Sequence, residues 1–248
     1  MIQALTRLHR LYQRRQSARR LGFNFRRAAG FSLPTEIRMD SRYFTLNLPG
    51  DEGTQTAFID VLLDDCYQLR KLPSNLKSTL DIGAHAGLFS LAARLHFPNA
   101  VIHAYEPNPQ MLPFLAKQSE TGRFTFFGEA VDLVEGRMSL DPSVDSVQTR
   151  AHRSEQGKIQ CVSFAKAVSR LNGVVDLVKL DCEGAEWDIL KDDVTWQNVR
   201  YLTMEFHLWA GYTLAELKTR VTQLSFKVRD CKLTGKDFGL LQAERNDE

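Results

Sequence analysis

Short apolar runs alternate with longer amphipathic segments in the part of the chain that follows residue 77. The runs cover residues 79–82, 101–105, 124–127, 175–180 and 201–206. Continuous apolar strands that are separated by helices are typical of a parallel sheet covered on both faces. After residue 206 the pattern predicts a helix around 213–224 and two edge strands at 226–228 and 238–241. We therefore expect a doubly wound α/β domain over residues 78–248.

The pattern before residue 78 is different and predicts an extension, residues 1–77. Leu5, Leu8, Leu11 and Tyr12 recur at helical spacing, which predicts an amphipathic helix over residues 2–20. Two short alternating runs within residues 36–48, on either side of Asp40, predict a hairpin. Residues 55–71 carry a second helical pattern.

A polar stretch interrupts the domain between its third and fourth apolar runs. Two short strand patterns, 138–140 and 159–162, flank a polar loop over residues 141–158. A loop of that length in a compact domain is usually functional or disordered. We expect this loop, together with residues 1–77, to determine which substrate the protein accepts.

Charge is unevenly distributed, although the formal net charge is only +2. No acidic side chain precedes Glu36, and the same stretch holds Arg7, Arg10, Arg14, Arg15, Arg19, Arg20, Arg26 and Arg27. A basic amphipathic helix of this kind can dock on its own protein through its leucines, lie on an anionic membrane, or bind nucleic acid. Docking is the interpretation we favour, peripheral membrane contact through residues 2–20 comes second, and no nucleic-acid partner is predicted.

The remaining bulk features indicate the compartment. Four cysteines are scattered, without the close pairing of a zinc site or a redox motif. No apolar run approaches the 18 or so residues of a membrane span. We predict a cytoplasmic protein. The basic helix adds peripheral contact with the inner membrane surface as a second possibility.

The turn after the first strand carries the first chemical signal. Gly83 and Gly87 follow Asp81, and a helix begins near Leu88, as in a nucleotide-binding turn at the carboxyl end of a strand. His85 stands where a dinucleotide fingerprint needs its second glycine. A carboxylate beside the turn repels pyrophosphate but suits an ammonium and a sulfonium. We therefore predict S-adenosylmethionine as cofactor, held by Asp81, Gly83, Ala84, His85 and Gly87.

The next two strand ends extend the predicted cofactor site. Glu106, followed by Pro107 and Asn108, ends the second strand at the position of a ribose-binding carboxylate. Glu129 and Ala130 follow the third strand, where we expect the adenine, with Asp132 as a further candidate.

Carboxylates crowd the end of the fourth strand. Asp181, Glu183 and Glu186 follow one another there, and they can face the sulfonium, hold a divalent metal or pair with Lys179. A carboxylate in the first turn of a helix is an equally good interpretation of Glu186.

The fifth strand ends with Glu205 and His207 on one side. His207 is either a general base or a hydrogen-bonded core histidine. Trp187 and Trp209 can form an aromatic wall for a sugar, although core packing is the more common role.

These motifs together resemble the FkbM family of methyltransferases over about residues 78–210. The segments that carry the resemblance are Asp81-Ile82-Gly83-Ala84-His85-Ala86-Gly87, Tyr105-Glu106-Pro107-Asn108-Pro109, Asp176-Leu177-Val178-Lys179-Leu180-Asp181-Cys182-Glu183-Gly184-Ala185-Glu186 and Glu205-Phe206-His207. The resemblance implies a class I methyltransferase fold (Rossmann-like), with a seven-stranded sheet that has one antiparallel strand near its edge. It also implies O-methylation, commonly of sugars or natural products. The family usually has Asn at the position of His85.

The predicted reaction is transfer of the methyl group from S-adenosylmethionine to a hydroxyl of a small molecule or glycan, with S-adenosylhomocysteine as product. We predict His207 as the base, with Asp181 and Glu183 shaping the acceptor pocket; His85 is a second candidate base. A divalent metal on these carboxylates is the less favoured version, and no metal site is predicted. Two rival functions are a non-catalytic cofactor-binding scaffold and, less favoured, a nicotinamide-dependent oxidoreductase.

Overall fold

The computed structural model describes residues 2–39, 41–141, 150–209 and 211–246. The helices are α1 (Ile2–Arg20), α2 (Glu52–Phe58), α3 (Leu88–His96), α4 (Leu112–Gly122), α5 (Phe164–Ser169), α6 (Glu186–Ile189) and α7 (Leu214–Gln223). The strands are β1 (Glu36–Met39), β2 (Arg42–Thr45), β3 (Ser78–Ile82), β4 (Val101–Tyr105), β5 (Thr125–Phe127), β6 (Ala130–Asp132), β7 (Gly136–Leu140), β8 (Ala151–Arg153), β9 (Ile159–Ser163), β10 (Val175–Leu180), β11 (Val199–His207), β12 (Phe226–Leu233) and β13 (Phe238–Arg245).

A seven-stranded sheet forms the centre of the fold, in the order β12-β13-β11-β10-β3-β4-β5. β13 is antiparallel to both of its neighbours, while β11, β10, β3, β4 and β5 pair in parallel. Successive residues of β10 face opposite sides, so that Leu177 joins one core and Val178 the other. The predicted doubly wound, mostly parallel sheet with one antiparallel strand, the fold of class I methyltransferases, is confirmed.

The order in which strands are added to the sheet switches sides at β3. β4 and β5 lie on one side of β3, and β10 and β11 lie on the other. Open α/β sheets bind ligands at the carboxyl ends of the strands beside such a switch point. The fold therefore brings the ends of β3, β4, β10 and β11 to one site.

The prediction of two edge strands at the end of the domain is wrong for one of them. β12 lies at the edge, but β13 lies between β11 and β12 and pairs with both. The hairpin turn after Leu233 returns the chain against β11, where Leu241 and Ala243 become buried. A local apolar pattern reports burial and does not report which strand is the neighbour.

The predicted helix over residues 55–71 is also only partly correct. α2 continues as a π-helical turn over Ile59–Leu63, and a short 3₁₀ turn follows at Leu69–Lys71. Between them, Asp65 and Gln68 adopt left-handed backbone angles, with φ of 55° and 51°. The Asp65 carboxylate accepts the backbone N–H groups of Leu69 and Arg70. This local hydrogen bonding competes with the helix and ends it.

The extension shares a core with the sheet domain. α1 and the β1–β2 hairpin form as predicted, although Asp40 lies outside the described residues. Ala18, Ile37 and Phe58 pack in one cluster with Ala92 and Leu115 of the domain. The division at residue 77 stays a prediction, and the observed core crosses it.

A second sheet, in the order β6-β9-β7-β8, follows β5. It contains the two strands predicted at 138–140 and 159–162. The strand β8 falls inside the segment that was predicted as a loop, and residues 142–149 of that segment lie outside the described residues. None of the described helices is long and apolar enough to span a bilayer.

Candidate active site

An open cavity of about 1020 Å³ lies at the carboxyl ends of the central strands. Its lining comes from the segments that follow β3, β4, β10 and β11, from the π-helical turn and from the start of β6. The predicted site residues that line it are Gly83, Ala84, His85, Glu106, Pro107, Glu129, Ala130, Asp181, Glu183 and His207. Asp81, Gly87 and Asn108 lie outside this lining, as far as the described residues define it.

The turn after β3 is built by left-handed backbone angles. Gly83 and Gly87 have φ of 77° and 83°, and His85 has φ of 49°. A Cβ at Gly83 would clash with the carbonyl oxygen of Asp181, because the turn passes directly beside the end of β10. Asn and His are the non-glycine residues that adopt such angles most readily, together with Asp. The exchange of the family's Asn for His85 is therefore compatible with this backbone.

The backbone N–H groups of the turn are engaged within the protein. Those of Gly83 and Ala84 donate to the carbonyl of Tyr105, and that of Gly87 donates to Ala84. The N–H of His85 donates to the Glu106 carboxylate at 2.7 Å. A pyrophosphate needs several outward N–H donors, so this turn disfavours a dinucleotide.

Asp81 is fully buried and faces Lys179 rather than the cavity. Its carboxylate accepts the Ser90 hydroxyl at 2.7 Å and lies 3.3 Å from the Lys179 Nζ. The same Nζ donates to the Gly83 carbonyl at 2.5 Å and lies 3.5 Å from Asp181. Burial alone would lower the pKa of Lys179, but the two aspartates raise it above its ordinary value. Lys179 therefore stays charged and ties the ends of β3 and β10 together.

Glu106 is 7% exposed and lines the cavity at the predicted ribose position. Its two oxygens accept the backbone N–H groups of His85 and Asn108 at 2.7 and 2.8 Å. Burial raises the pKa of Glu106 to about 7, against the opposing effect of these hydrogen bonds. Each carboxylate oxygen retains a second lone pair, which can accept a ribose hydroxyl.

The residues predicted for adenine are partly neutralised by arginines. Glu129 forms an ion pair with Arg170 at 2.5 Å, and the Arg170 guanidinium lies 4.4 Å from the centre of the Phe127 ring. Asp132 pairs with Arg153 at 2.6 Å and lies outside the lining that the described residues give the cavity. Glu129 and Ala130 remain the adenine-side candidates.

Asp181, Glu183 and His207 come together at the opposite end of the cavity. One ligand atom from each lies within 4.8 Å of the others. Glu183 has φ of 54° and Gly184 follows with φ of 110°, so the turn after β10 brings the Glu183 carboxylate to the cavity. Asp181 also accepts the Tyr67 hydroxyl at 2.9 Å. Among the described residues, this group has the donor set of a metal site, although no metal site is predicted from the sequence.

Glu186 orients His207. The Glu186 side chain is fully buried and accepts the backbone N–H groups of Cys182 and Gly184, both at 2.8 Å. Its Oε1 lies 3.2 Å from His207 Nδ1. Because a carboxylate only accepts, Nδ1 carries the proton. The other nitrogen, Nε2, is left on the cavity side, 3.7 Å from the Glu183 carboxylate.

Charge crowding raises several pKa values at this end. Burial alone would lower the pKa of His207, but Glu186 and Glu183 raise it to about 8. Burial raises the pKa of Glu183 to about 7, and burial together with Asp181 raises that of Glu205 to about 8. Such groups exchange protons near neutral pH, as acid–base catalysis requires.

The two predicted tryptophans have different roles. Trp187 is buried, stacks on Tyr212 and donates its indole N–H to the His207 carbonyl at 2.7 Å. Trp209 is 39% exposed and lines the cavity, with its ring 4.2 Å from that of His207. The Arg150 guanidinium lies 4.3 Å from the centre of the Trp209 ring.

Sequence reasoning missed Tyr67 and gave Glu205 no role, although both line the cavity. Tyr67 lies in the extension, where no motif marked it, and its contact with Asp181 spans 114 residues of chain. Glu205 carried one signal, which was its position two residues before His207 on the same face of β11.

The lining fits a cationic cofactor. Glu106, Asp181, Glu183 and Glu205 all border the cavity, and Lys179 is already engaged by two aspartates. Carboxylates that are crowded in this way favour a ligand that brings positive charge. An ammonium and a sulfonium supply such charge. The N–H groups of the turn after β3 are already engaged, which disfavours a pyrophosphate. The residues present therefore fit S-adenosylmethionine.

Comparisons with known proteins agree with this chemistry. Residues 81–231 match the family described as Methyltransferase FkbM domain. Methyltransferase sdnD of Sordaria araneosa is 26% identical over 196 residues, which cover 61% of this chain and 74% of that protein. Methyltransferase 1 of Beauveria bassiana (strain ARSEF 2860) is 24% identical over 177 residues, which cover 59% of this chain and 70% of that protein.

Solved structures with a similar fold include an O-methyltransferase family protein from Burkholderia thailandensis. It is 12% identical, with a TM-score of 0.47 over 77% of this chain and 57% of that chain. M. capricolum TrmK in complex with S-adenosyl-homocysteine is 15% identical, with a TM-score of 0.45 over 73% of this chain and 68% of that chain. The family match spans more than half of the residues, so the chain belongs to the FkbM methyltransferase family.

Proposed function

We propose that this methyltransferase transfers the methyl group to a hydroxyl oxygen of a small natural product or a sugar, with His207 as the general base. The observation that supports the proposal is the pairing of Glu186 with His207 Nδ1, which leaves Nε2, 3.7 Å from the cavity-lining Glu183 carboxylate, as the ring nitrogen that can accept a proton. An amine acceptor needs no base when it is neutral, whereas a hydroxyl must lose its proton at or near transfer. A positioned base therefore favours oxygen as the acceptor.

The chain's residues contribute position and proton transfer. Bound S-adenosylmethionine supplies a methyl group on a good leaving group. Asp181 and Glu183 border the space beside His207, and we assign them to holding the acceptor in line with that methyl group. When the hydroxyl oxygen receives the methyl group, the electron pair of the former C–S bond would leave with S-adenosylhomocysteine, and the proton of the hydroxyl would move to His207 Nε2. Glu186 then stabilises the resulting imidazolium.

The cavity also favours a cyclic, polyhydroxylated acceptor of modest size. Its volume of about 1020 Å³ leaves room for an acceptor beside the cofactor. Trp209 offers an exposed ring next to His207, and such rings stack on the apolar faces of sugars. Polar groups at the rim can then choose one hydroxyl among several.

The test compares matched acceptors. The purified enzyme is incubated with labelled S-adenosylmethionine and methyl glycosides of common sugars, hydroxylated macrolactones, and the corresponding amino and O-methylated analogues. We expect label in at least one hydroxyl compound and none in its O-methylated partner. Transfer only to amino compounds would refute O-methylation. Tight cofactor binding with no transfer to any compound would favour the non-catalytic scaffold, and binding of a nicotinamide cofactor instead would favour the oxidoreductase.

A chelator distinguishes the hypothesis that His207 is a general base from the hypothesis that it is a metal ligand. If His207 is the base, EDTA followed by gel filtration leaves the transfer rate unchanged. Loss of activity with EDTA and its recovery with Mg²⁺ would make Asp181, Glu183 and His207 metal ligands and would remove His207 as the base. Zn²⁺ and Mn²⁺ are added in parallel so that a different preferred ion is also detected.

A further inference from the structure

An apolar stripe runs along the outward face of α1. Leu5, Leu8 and Tyr12 are 61%, 64% and 60% exposed. They are separated by three and four residues, so they lie on one side of the helix. Exposed apolar residues that occur singly are ordinary, but three on one helical face form a surface that fits a partner.

The opposite face of α1 fixes the orientation of this stripe. Arg14 and Arg10 both pair with Asp64, which directly follows the π-helical turn, the former at 2.6 Å. The Ser17 hydroxyl donates to the Leu63 carbonyl at 2.9 Å, and Ala18 is fully buried. The expectation that the helix docks through its leucines is therefore wrong for Leu5 and Leu8. Ion pairs, small residues and Leu11, which packs against the core, hold the helix, and Leu5, Leu8 and Tyr12 face outward.

The charges beside the stripe identify the partner. Arg15 and Arg19 continue the same face at spacings of three and four residues, and both are exposed. No acidic residue precedes Glu36. A second copy of α1 would offer these arginines no acidic partner, because the helix contains none. An anionic surface with an apolar layer beneath it would bind both the apolar stripe and the arginines that continue it.

We propose that α1 binds the surface of an anionic phospholipid membrane. Leu5, Leu8 and Tyr12 enter the boundary between headgroups and acyl chains, and Arg15 and Arg19 contact lipid phosphates. The inference goes beyond the proposed function, because it concerns where the enzyme works and not what it does. The extension carries the helix on the body of the enzyme, so a membrane-held acceptor would meet an enzyme already at the surface.

The experiment is co-sedimentation of the full chain with vesicles of phosphatidylcholine, with or without about a third of phosphatidylglycerol. The apolar variant is Leu5→Ser with Leu8→Ser, and the charge variant is Arg15→Gln with Arg19→Gln. Val174→Ser with Val194→Ser is the matched control, since both valines are exposed elsewhere, at 62% and 73%. Thermal unfolding and methyl transfer to a dissolved acceptor are measured for every variant and should not change.

We expect the wild type and the control to bind the anionic vesicles at least about tenfold more tightly than the neutral ones, and added salt to weaken this binding. Each of the two α1 variants should lose about tenfold in partitioning. Equal binding to both vesicle types, or no loss in the apolar variant, would overturn the proposal.

Two further outcomes would replace the membrane with another partner. Removal of the binding by duplex DNA, with the leucines irrelevant, would identify nucleic acid. A dimer that the serine substitutions dissociate, with no vesicle binding, would identify a second copy of the chain. Neither result would affect the proposed chemistry, which the dissolved-acceptor assay reports separately.

Discussion

The two ends of the cavity are built in opposite ways. At the cofactor end, the turn after β3 and Glu106 are held by backbone hydrogen bonds between neighbouring strands. At the acceptor end, His207 is held by side-chain contacts with Glu186 and Glu183, and Asp181 is held by the hydroxyl of the distant Tyr67, while two backbone N–H groups hold Glu186. The first end is a geometric cradle, and the second is a cluster of titratable groups whose charges depend on one another.

This difference separates binding from chemistry. The backbone hydrogen bonds of the turn after β3 do not change with pH, although Glu106 beside them, with a pKa of about 7, can change its charge. A crowded cluster, with pKa values near 7 and 8 at Glu183 and His207, changes charge in the range where an enzyme works. Substitutions at the cofactor end should therefore change affinity or folding, and substitutions at the acceptor end should change turnover.

Gly83→Ala should have the largest effect. The added Cβ would clash with the Asp181 carbonyl, and the alanine would also have to adopt a positive φ. We therefore expect loss of cofactor binding and of most folded protein. Gly173→Ala is the matched control, because Gly173 has φ of 81° but nothing within 4 Å of the added Cβ. It should cost about 1–2 kcal/mol from the backbone alone. Denaturant unfolding and calorimetric binding of S-adenosylhomocysteine distinguish the two, and equal effects would contradict the close approach of the turn to β10.

His207→Ala should lower kcat by about 10²- to 10⁴-fold, the usual contribution of a general base, without weakening cofactor binding. Steady-state kinetics and calorimetry on the same preparation provide both quantities. His9→Gln, an exposed histidine on α1, is the control and should have no effect. A variant that retained wild-type turnover would remove His207 from the mechanism and would direct attention to His85.

Glu186→Gln should lower kcat about 10- to 100-fold, since it removes the charge that orients His207 and also leaves one of the backbone N–H groups of Cys182 and Gly184 without an acceptor. Loss of this carboxylate also lowers the pKa of His207 below its wild-type value of about 8, so the rising limb of the pH–rate profile should move to lower pH. A fall in rate with an unmoved limb would indicate a purely structural role for Glu186.

Glu106→Gln should have the smallest effect and the most selective one. We expect the Kd for S-adenosylhomocysteine to rise about tenfold, because hydrogen bonds from ribose hydroxyls to a charged carboxylate weaken. Turnover at saturating cofactor should hardly change. If kcat fell and Kd did not, the assignment of Glu106 to the ribose would fail.

The sequence predicts the backbone geometry around the turn after β3 well for a physical reason. Strand periodicity, Gly83, Gly87 and Glu106 act locally, so their spacing along the chain carries the geometry. The predicted role of Asp81 is less direct than the sequence suggests, because burial turns its carboxylate toward Ser90 and Lys179. Alternation along a strand does not report which polar partner a buried side chain finds.

At the acceptor end, the sequence identified residues that the structure brings together, but it did not predict their contacts with one another. Asp181, Glu183 and His207 were found as polar residues at strand ends, yet the bond from Glu186 to His207 joins two strand ends and follows from the register of β10 against β11. Tyr67 was missed because it comes from the extension. The helix α1 was predicted with correct bounds, but only Leu11 of the predicted docking leucines packs against the core, since hydropathy alone ignores the ion pairs with Asp64.

The most direct test of the central claim is the pH dependence of kcat/KM for methyl transfer to a hydroxyl acceptor, measured for the wild type and for His207→Gln. A base must be neutral to accept a proton, so the wild-type rate should rise with pH through about 8 and then level off. The variant should be slow and should lack this rise. An identical rise in both enzymes, or a wild-type profile with no titration near this pH, would contradict the assignment of His207 as the base.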